Sequence, residues 1–306
     1  MMQLHISHET RYAYLPAVET AQHLAYLQPQ STPYQQVQSH LLSVYPVPTH
    51  INQTLDVFGN PRSFFSLQTP HTSLSVLAIS QVLTQARALP PSACTWEQVA
   101  QGFVYRAGNV FDAATEFVFP SPHVPQHPDF AAYAAPSFAP GRALQAAVLD
   151  LMQRIHSDFV YDSDSSHINT PAQDSLAQRR GVCQDFAHVM LAGLRAFGVA
   201  ARYVSGYVLT VAAKGQVKLL GGDASHAWVS VYFPDLPPGQ RWCDFDPTNN
   251  RAGWHAPGAD YVSLATGRDF SDVSPLRGVI HGGASHTLTV HVTVQEITQN
   301  NAPAAP

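Results

Sequence analysis

The chain reads as an α+β protein: a β-rich N-terminal domain, then a second domain in which a helix packs on an antiparallel sheet. Three observations predict this. Up to about residue 85 the sequence is a series of short alternating segments divided by turn residues. Residues 183–197 carry the strongest helical periodicity in the chain. After that helix the sequence returns to strand-like segments. With 306 residues, 45% of them hydrophobic and 12% charged, there is apolar material for two domains or one large one.

The elements follow in order. Residues 3–14 alternate, as do residues 39–47 and 63–67, and residues 74–79 are short, apolar and β-prone. Turn chemistry at Gln28-Pro29, Thr32-Pro33, Asp56-Val57-Phe58-Gly59-Asn60-Pro61 and Thr69-Pro70 separates these runs. Residues 1–85 therefore form the N-terminal domain. Residues 86–141 contain Pro120, Pro122, Pro125, Pro128, Pro136 and Pro140, which cannot all lie inside regular elements. An irregular connection with short helices is expected there. Leu144, Val148, Leu151 and Ile155 predict a helix over residues 142–157. Phe159-Val160-Tyr161 is strand-like or loop, and residues 174–179 form a short helix.

The helix over 183–197 lies between Gly181 and Gly198, the latter suited to a left-handed cap. Cys183, Phe186, Met190, Leu194 and Phe197 share one face. That face turns Cys183 inward and places Asp185 and Arg195 elsewhere. Strands are expected over 201–210, 217–220, 226–233, 241–246 and 286–294. The second domain is drawn at 142–296, and residues 297–306 are expected to be a disordered tail.

Composition narrows the function. A net charge of −5 with no basic run argues against nucleic acid, whose binding needs concentrated Lys and Arg. The three cysteines, Cys94, Cys183 and Cys243, form no Cys-x-x-Cys pair. An odd, sparse set fits a reducing compartment and argues against structural zinc. The N-terminus lacks a basic start followed by an apolar run, and no apolar stretch is long enough to span a bilayer. A cytoplasmic protein without a membrane partner is the expectation. The 16 histidines are scattered, so no metal tract and no cofactor is implied, and oligomeric state carries no signal.

The chemistry concentrates in three places. Cys183 opens the helix, where unpaired N–H groups favour a thiolate and can stabilise an oxyanion. His226 opens one strand and Asp246 closes the next. If these strands pair about Leu236, residue numbers across the ladder sum to 472: His226 faces Asp246, Trp228 faces Asp244, and Ser230 faces Trp242. Opposed side chains lie close enough for a carboxylate to orient an imidazole. Asp244 shares the face of Asp246, and a register shift of two would set it opposite His226 instead. A metal held by Cys183, His226 and Asp246 is a lesser alternative. Asp185 in the first turn suggests a capping or dipole role. His188, about 140° from the Cys183 face, reads as structural or exposed. Trp228 and Trp242 read as core aromatics and Cys243 as packing. Arg268, Asp269 and Arg277 could hold the C-terminal segment by ion pairs.

Gly181-Val182-Cys183-Gln184-Asp185-Phe186-Ala187, Ser225-His226-Ala227-Trp228 and Phe245-Asp246-Pro247-Thr248-Asn249 resemble, in order, the signature blocks of the bacterial transglutaminase-like superfamily. The resemblance covers roughly residues 140–280. Arg11-Tyr12, Asp56-Val57-Phe58-Gly59-Asn60 and the block from Thr266 to Gly278 are similar to a cysteine-protease subgroup with a β-rich N-terminal domain. The resemblance implies a papain-like core with Cys183 as nucleophile, His226 as base and Asp246 as orienting acid. Members often add a side-chain oxyanion donor, for which Tyr161 and Gln178 are candidates. The implied activity is attack on an amide bond in a peptide, protein or small amide to give a thioester. Hydrolysis by a peptidase or amidase ranks ahead of transglutaminase-type transfer to an amine. The rival is a non-catalytic module that binds peptides or proteins on the same fold.

Overall fold

The computed structural model describes residues 1–108, 110–210, 225–283 and 285–297. The chain runs through β1 (Met2–Ala25), β2 (Gln35–Tyr45), β3 (His50–Leu55), β4 (Pro61–Leu67) and β5 (His71–Thr84). Helices α1 (Trp96–Gly102), α2 (Pro128–Ala134) and α3 (Leu144–Asp158) follow, then β6 (Val160–Tyr161), α4 (Ala172–Gln178), β7 (Arg180–Gly181) and α5 (Cys183–Ala196). The remainder is β8 (Ala201–Val208), β9 (Ser225–Tyr232), β10 (Trp242–Asp246), β11 (Arg251–Trp254), β12 (Tyr261–Gly267), α6 (Phe270–Val273), β13 (Leu276–Gly282) and β14 (Ser285–Glu296).

The N-terminal sheet is built on β1, which is twice as long as its alternation suggested. Its first half lies between β5 and β14, its second half between β4 and β13. The limit expected for the second domain at residue 296 is therefore corrected, because β13 and β14 return to the first sheet. Both sides of β1 need hydrogen-bond partners, and the chain after α6 supplies one of them. β3, β11, β12 and β13 were not expected from the sequence. The strand expected over 217–220 and most of the expected tail lie outside the described residues. The connection over 86–141 carries α1, α2 and the short 3₁₀ helices Ala113–Val118 and Ala135–Ser137.

The second sheet is antiparallel with order β11-β10-β9-β8-β12, and α5 packs against β9 and β8. Its core is continuous with the N-terminal domain: Leu4, Ile6, Val82, Val292 and Val294 join the cluster that contains α3, α5 and the sheet. The outer edge of β12 is capped by side chains from the first domain. Asn60 donates to Thr266 O and accepts from Thr266 N, both at 2.8 Å. Gln35 does the same to Ser263 at 2.7 and 2.8 Å. Asp56 holds Asn60 in place through Oδ1 and Oδ2 at 2.8 and 2.7 Å. An edge strand otherwise presents unpaired backbone groups, so the 56–60 turn fixes the sheet that carries His226.

Helix α5 is more deeply buried than a one-face pattern implies. Asp185 and Arg195 were expected away from the core, yet both are buried, and His188, read as structural or exposed, is buried as well, because neighbours cover the helix on every side. Arg195 donates to the carbonyls of Ala201 and Arg268 at 2.9 and 2.5 Å. His188 stacks on His123, with centroids 5.3 Å apart, and burial pushes its pKa well down. Of the expected C-terminal ion pairs, Arg268 pairs with Asp272, Asp269 caps α6, and Arg277 donates to Ser271 O.

Candidate active site

Cys183 is placed by the chain just before it. α4 ends at Arg179 in the left-handed region, β6 and β7 pair in parallel with Tyr161 beside Gly181, and α5 then starts at the thiol. Asp185 holds this junction together. It is 2% exposed and accepts from Val182 N at 2.8 Å, Ser166 Oγ at 2.6 Å and Ser175 Oγ at 3.2 Å. This is the capping role expected of it, since Val182 N–H would otherwise be an orphan at the helix start. Gly181 is required by close approach: a Cβ there would lie 2.6 Å from Asp185 Oδ2.

His226 is 8% exposed and donates through Nε2 to Asp246 Oδ2 at 2.7 Å. Asp246 also accepts from Tyr261 Oη and Asn249 Nδ2, each at 2.7 Å, and from the backbone N of Thr248 and Asn249 at 2.8 and 3.2 Å. Burial disfavours the imidazolium, but hydrogen bonds to Asp246 and Cys183, together with their charges, outweigh it and raise His226 from 6.5 to about 10. Burial likewise opposes ionisation of Asp246, while His226, Tyr261 and Asn249 hold its pKa below the usual value. With Nε2 committed to the carboxylate, Nδ1 is the nitrogen left for the thiol. Cys183 itself is half-buried.

The route by which His226 meets Asp246 differs from the one expected. The ladder pairs Trp242 with Tyr232, Cys243 with Val231, Asp244 with Ser230 and Phe245 with Val229, so opposed numbers sum to 474, not 472. Leu236 is buried rather than exposed at the tip of the loop, and the hairpin closes symmetrically about Pro237, with Phe233 N donating to Arg241 O at 2.7 Å. Continuing that register sets Asp246 opposite Trp228. Both expected pairs form diagonally: His226 with Asp246, and Trp228 Nε1 with Asp244 Oδ2 at 2.8 Å. Diagonal neighbours remain within reach of long and aromatic side chains. Asp244 is thus the acceptor for Trp228, not the orienting group for His226, and burial raises its pKa.

Trp228 is fully buried and stacks on His226 with centroids 6.1 Å apart. Gly206, paired opposite His226, makes room for it: a Cβ there would come 2.5 Å from the indole. Tyr161 borders the thiol, its pKa raised by burial and by the charges of Cys183 and Asp185. Gln178 is exposed at the end of α4, and no contact joins it to Cys183 or His226 among the described residues. Tyr261 and Asn249 had no assigned role in the sequence reading. Asn249 stands in the quoted block after Asp246, where position alone could have marked it. Tyr261 arrives from β12, and nothing in local spacing could have found it.

Residues 4–83 match the model of the bacterial transglutaminase-like N-terminal region, and residues 131–247 match that of the transglutaminase-like superfamily. The uncharacterized protein Mb2599c of Mycobacterium bovis is 36% identical over 293 residues, spanning 92% of this chain and 89% of its own length. The uncharacterized protein ML0607 of Mycobacterium leprae is 30% identical over 300 residues, spanning 97% and 100%. A solved structure from Cytophaga hutchinsonii, provisionally described as a cysteine protease, has the same fold. Its TM-score is 0.72 over 99% of this chain and 93% of that one, at 21% identity. The two matched regions coincide with the β-rich sheet and with the core that carries the thiol, and the mycobacterial relatives align across nearly the whole length. On those grounds this chain belongs to the transglutaminase-like superfamily and is, at the level of that family, a cysteine-dependent enzyme.

Proposed function

We propose that the protein is a peptidase or amidase that breaks amide bonds through a thioester. The observation that carries this reading is His226 gripped by Asp246 through Nε2 while Cys183 acts on the same ring. Cys183 Sγ attacks the amide carbonyl, and the carbonyl oxygen takes the negative charge. The Cys183 amide at the start of α5 faces that oxyanion, and Tyr161 is the preferred side-chain donor over Gln178. The C–N bond then breaks as His226 passes its proton to the departing amine. Neutral His226 next takes a proton from water, which adds to the thioester. The carboxylic acid leaves and the thiolate–imidazolium pair is restored. An amine in place of water would complete a transglutamination. Hydrolysis is favoured by the description of the Cytophaga hutchinsonii protein as a cysteine protease.

Iodoacetamide labelling at about pH 6 tests the nucleophile. Cys183 should label first. The Cys94 thiol is pushed up by burial and by Asp235, and the Cys243 thiol by burial and by Asp244, so both should lag. Equal, slow labelling of all three would point to a binding module without an activated thiol. Incubation with a peptide library, followed by weighing the Cys183 adduct and its release by water or by an added amine, distinguishes hydrolysis from transfer.

A further inference from the structure

The sheet face that carries His226 extends to a second feature at its far end. Arg202 on β8 pairs opposite Ser230, four residues along β9 from His226, or about 13 Å. It forms part of the floor of an open cavity of about 700 Å³ between the turn after β3, the approach to the 3₁₀ helix Ala113–Val118, and β8, β9 and β10. Phe58, Phe117 and Trp242 wall the cavity, and Val57 and Phe111 stand 91% and 76% exposed on its rim.

The carboxylates lining this cavity are already engaged. Asp272 accepts from Arg268 at 2.9 and 3.1 Å, and Glu116 lies 3.7 Å from the same guanidinium. Asp112 accepts from Tyr232 Oη at 2.5 Å and from Ala114 N at 2.9 Å. Arg202 is not so engaged. Its guanidinium lies over the Trp242 ring, 4.2 Å from the centroid, and its buried Nε has no hydrogen-bond partner among the described residues. Among the described residues no carboxylate reaches ion-pair distance of it. The acid whose field it feels, Asp244, is committed to Trp228. The residue is half-buried with its Nε out of water, and its planar fork fits a carboxylate. The volume is that of a small-molecule pocket.

We propose that this cavity binds a small carboxylate with an aromatic body, the carboxylate on Arg202 and the ring among Phe58, Phe117 and Trp242. The site is separate from the thiol centre and does not depend on the amide-bond reading. N-acetyl-L-phenylalanine is the probe, and its neutral primary amide the control, each titrated into the full chain by ligand-observed NMR. The acid should bind at least about tenfold more tightly than the amide, the size of one charge-assisted contact. Arg202→Gln should bring the acid down to the level of the amide while the alkylation rate of Cys183 stays unchanged. Equal binding of acid and amide, no binding of the acid up to about 10 mM, or full binding by a folded Arg202→Gln protein would each overturn the proposal. The acid–amide comparison uses the unaltered chain, so it stands even if the variant fails to fold.

Discussion

Neutralising Asp246 tests the site most directly. Asp246→Asn removes the charge from a side chain that accepts from His226, Tyr261 and Asn249 at 2.7 Å each and from two backbone amides. His226 is raised from 6.5 to about 10 against the pull of burial. At 1.36 kcal/mol per unit that span is about 5 kcal/mol in favour of the imidazolium. Asp246 and Cys183 supply it together. If Asp246 supplies about half, its neutralisation costs about 2–3 kcal/mol and lowers the ring by roughly two units. The ring keeps its proton below its pKa and loses it as pH rises through that value. In the native protein the loss therefore centres near about pH 10, and in the variant roughly two units lower. The stabilisation from this histidine follows the same sign: fully present below 6.5 and lost as pH rises through about 10. NMR titration of the His226 ring reads the shift without a substrate. Turnover, once a substrate is found, should fall about 10²-fold. Asp244→Asn is the control, because Asp244 serves Trp228. A His226 titration that moves by less than about half a unit in Asp246→Asn, or equally far in Asp244→Asn, would refute the assignment of the orienting acid.

Other perturbations follow from the same geometry. Asp185→Ala orphans three donors at the junction before Cys183 and should cost about 2–4 kcal/mol; thermal unfolding and slower Cys183 alkylation would register it, and an unchanged melting temperature would deny the buttress. Gly206→Ala drives a methyl toward Trp228 and Val262 O and should destabilise by about 1–3 kcal/mol while displacing the His226 NMR signals; undisturbed signals would show that the slot is not needed. Tyr161→Phe should lower kcat by about 10²-fold with KM and alkylation little changed, whereas Gln178→Ala should not. Loss of kcat only in the Gln178 variant would reverse that preference.

The sequence carried some features in full and others not at all. Helix α5 was legible because its evidence is local: glycines on either side and an apolar repeat between them. Its burial was not, because whether Asp185, His188 and Arg195 see water depends on which elements cover the helix. The β9–β10 hairpin was legible as an element, but its register turned on whether Leu236 is a loop tip or a packed side chain, and the fold packs it. The strands β13 and β14 lie about 250 to 290 residues from the β1 positions they pair with, and such pairing leaves no mark in a local window.

By itself the sequence determined which side chains could do chemistry: a thiol opening a helix, a histidine opening a strand and an acid closing the next. Residue type and spacing of three, four or two settle such matters within one element. Only the tertiary structure decided that Asp246 meets His226 diagonally, that Tyr261 reaches Asp246 from β12, and that Arg202 lies beside an aromatic cavity without an ion-pair partner among the described residues. Those outcomes depend on strand register and on how two domains close over one sheet, contacts between residues far apart in the chain whose partners are fixed only when the whole core packs.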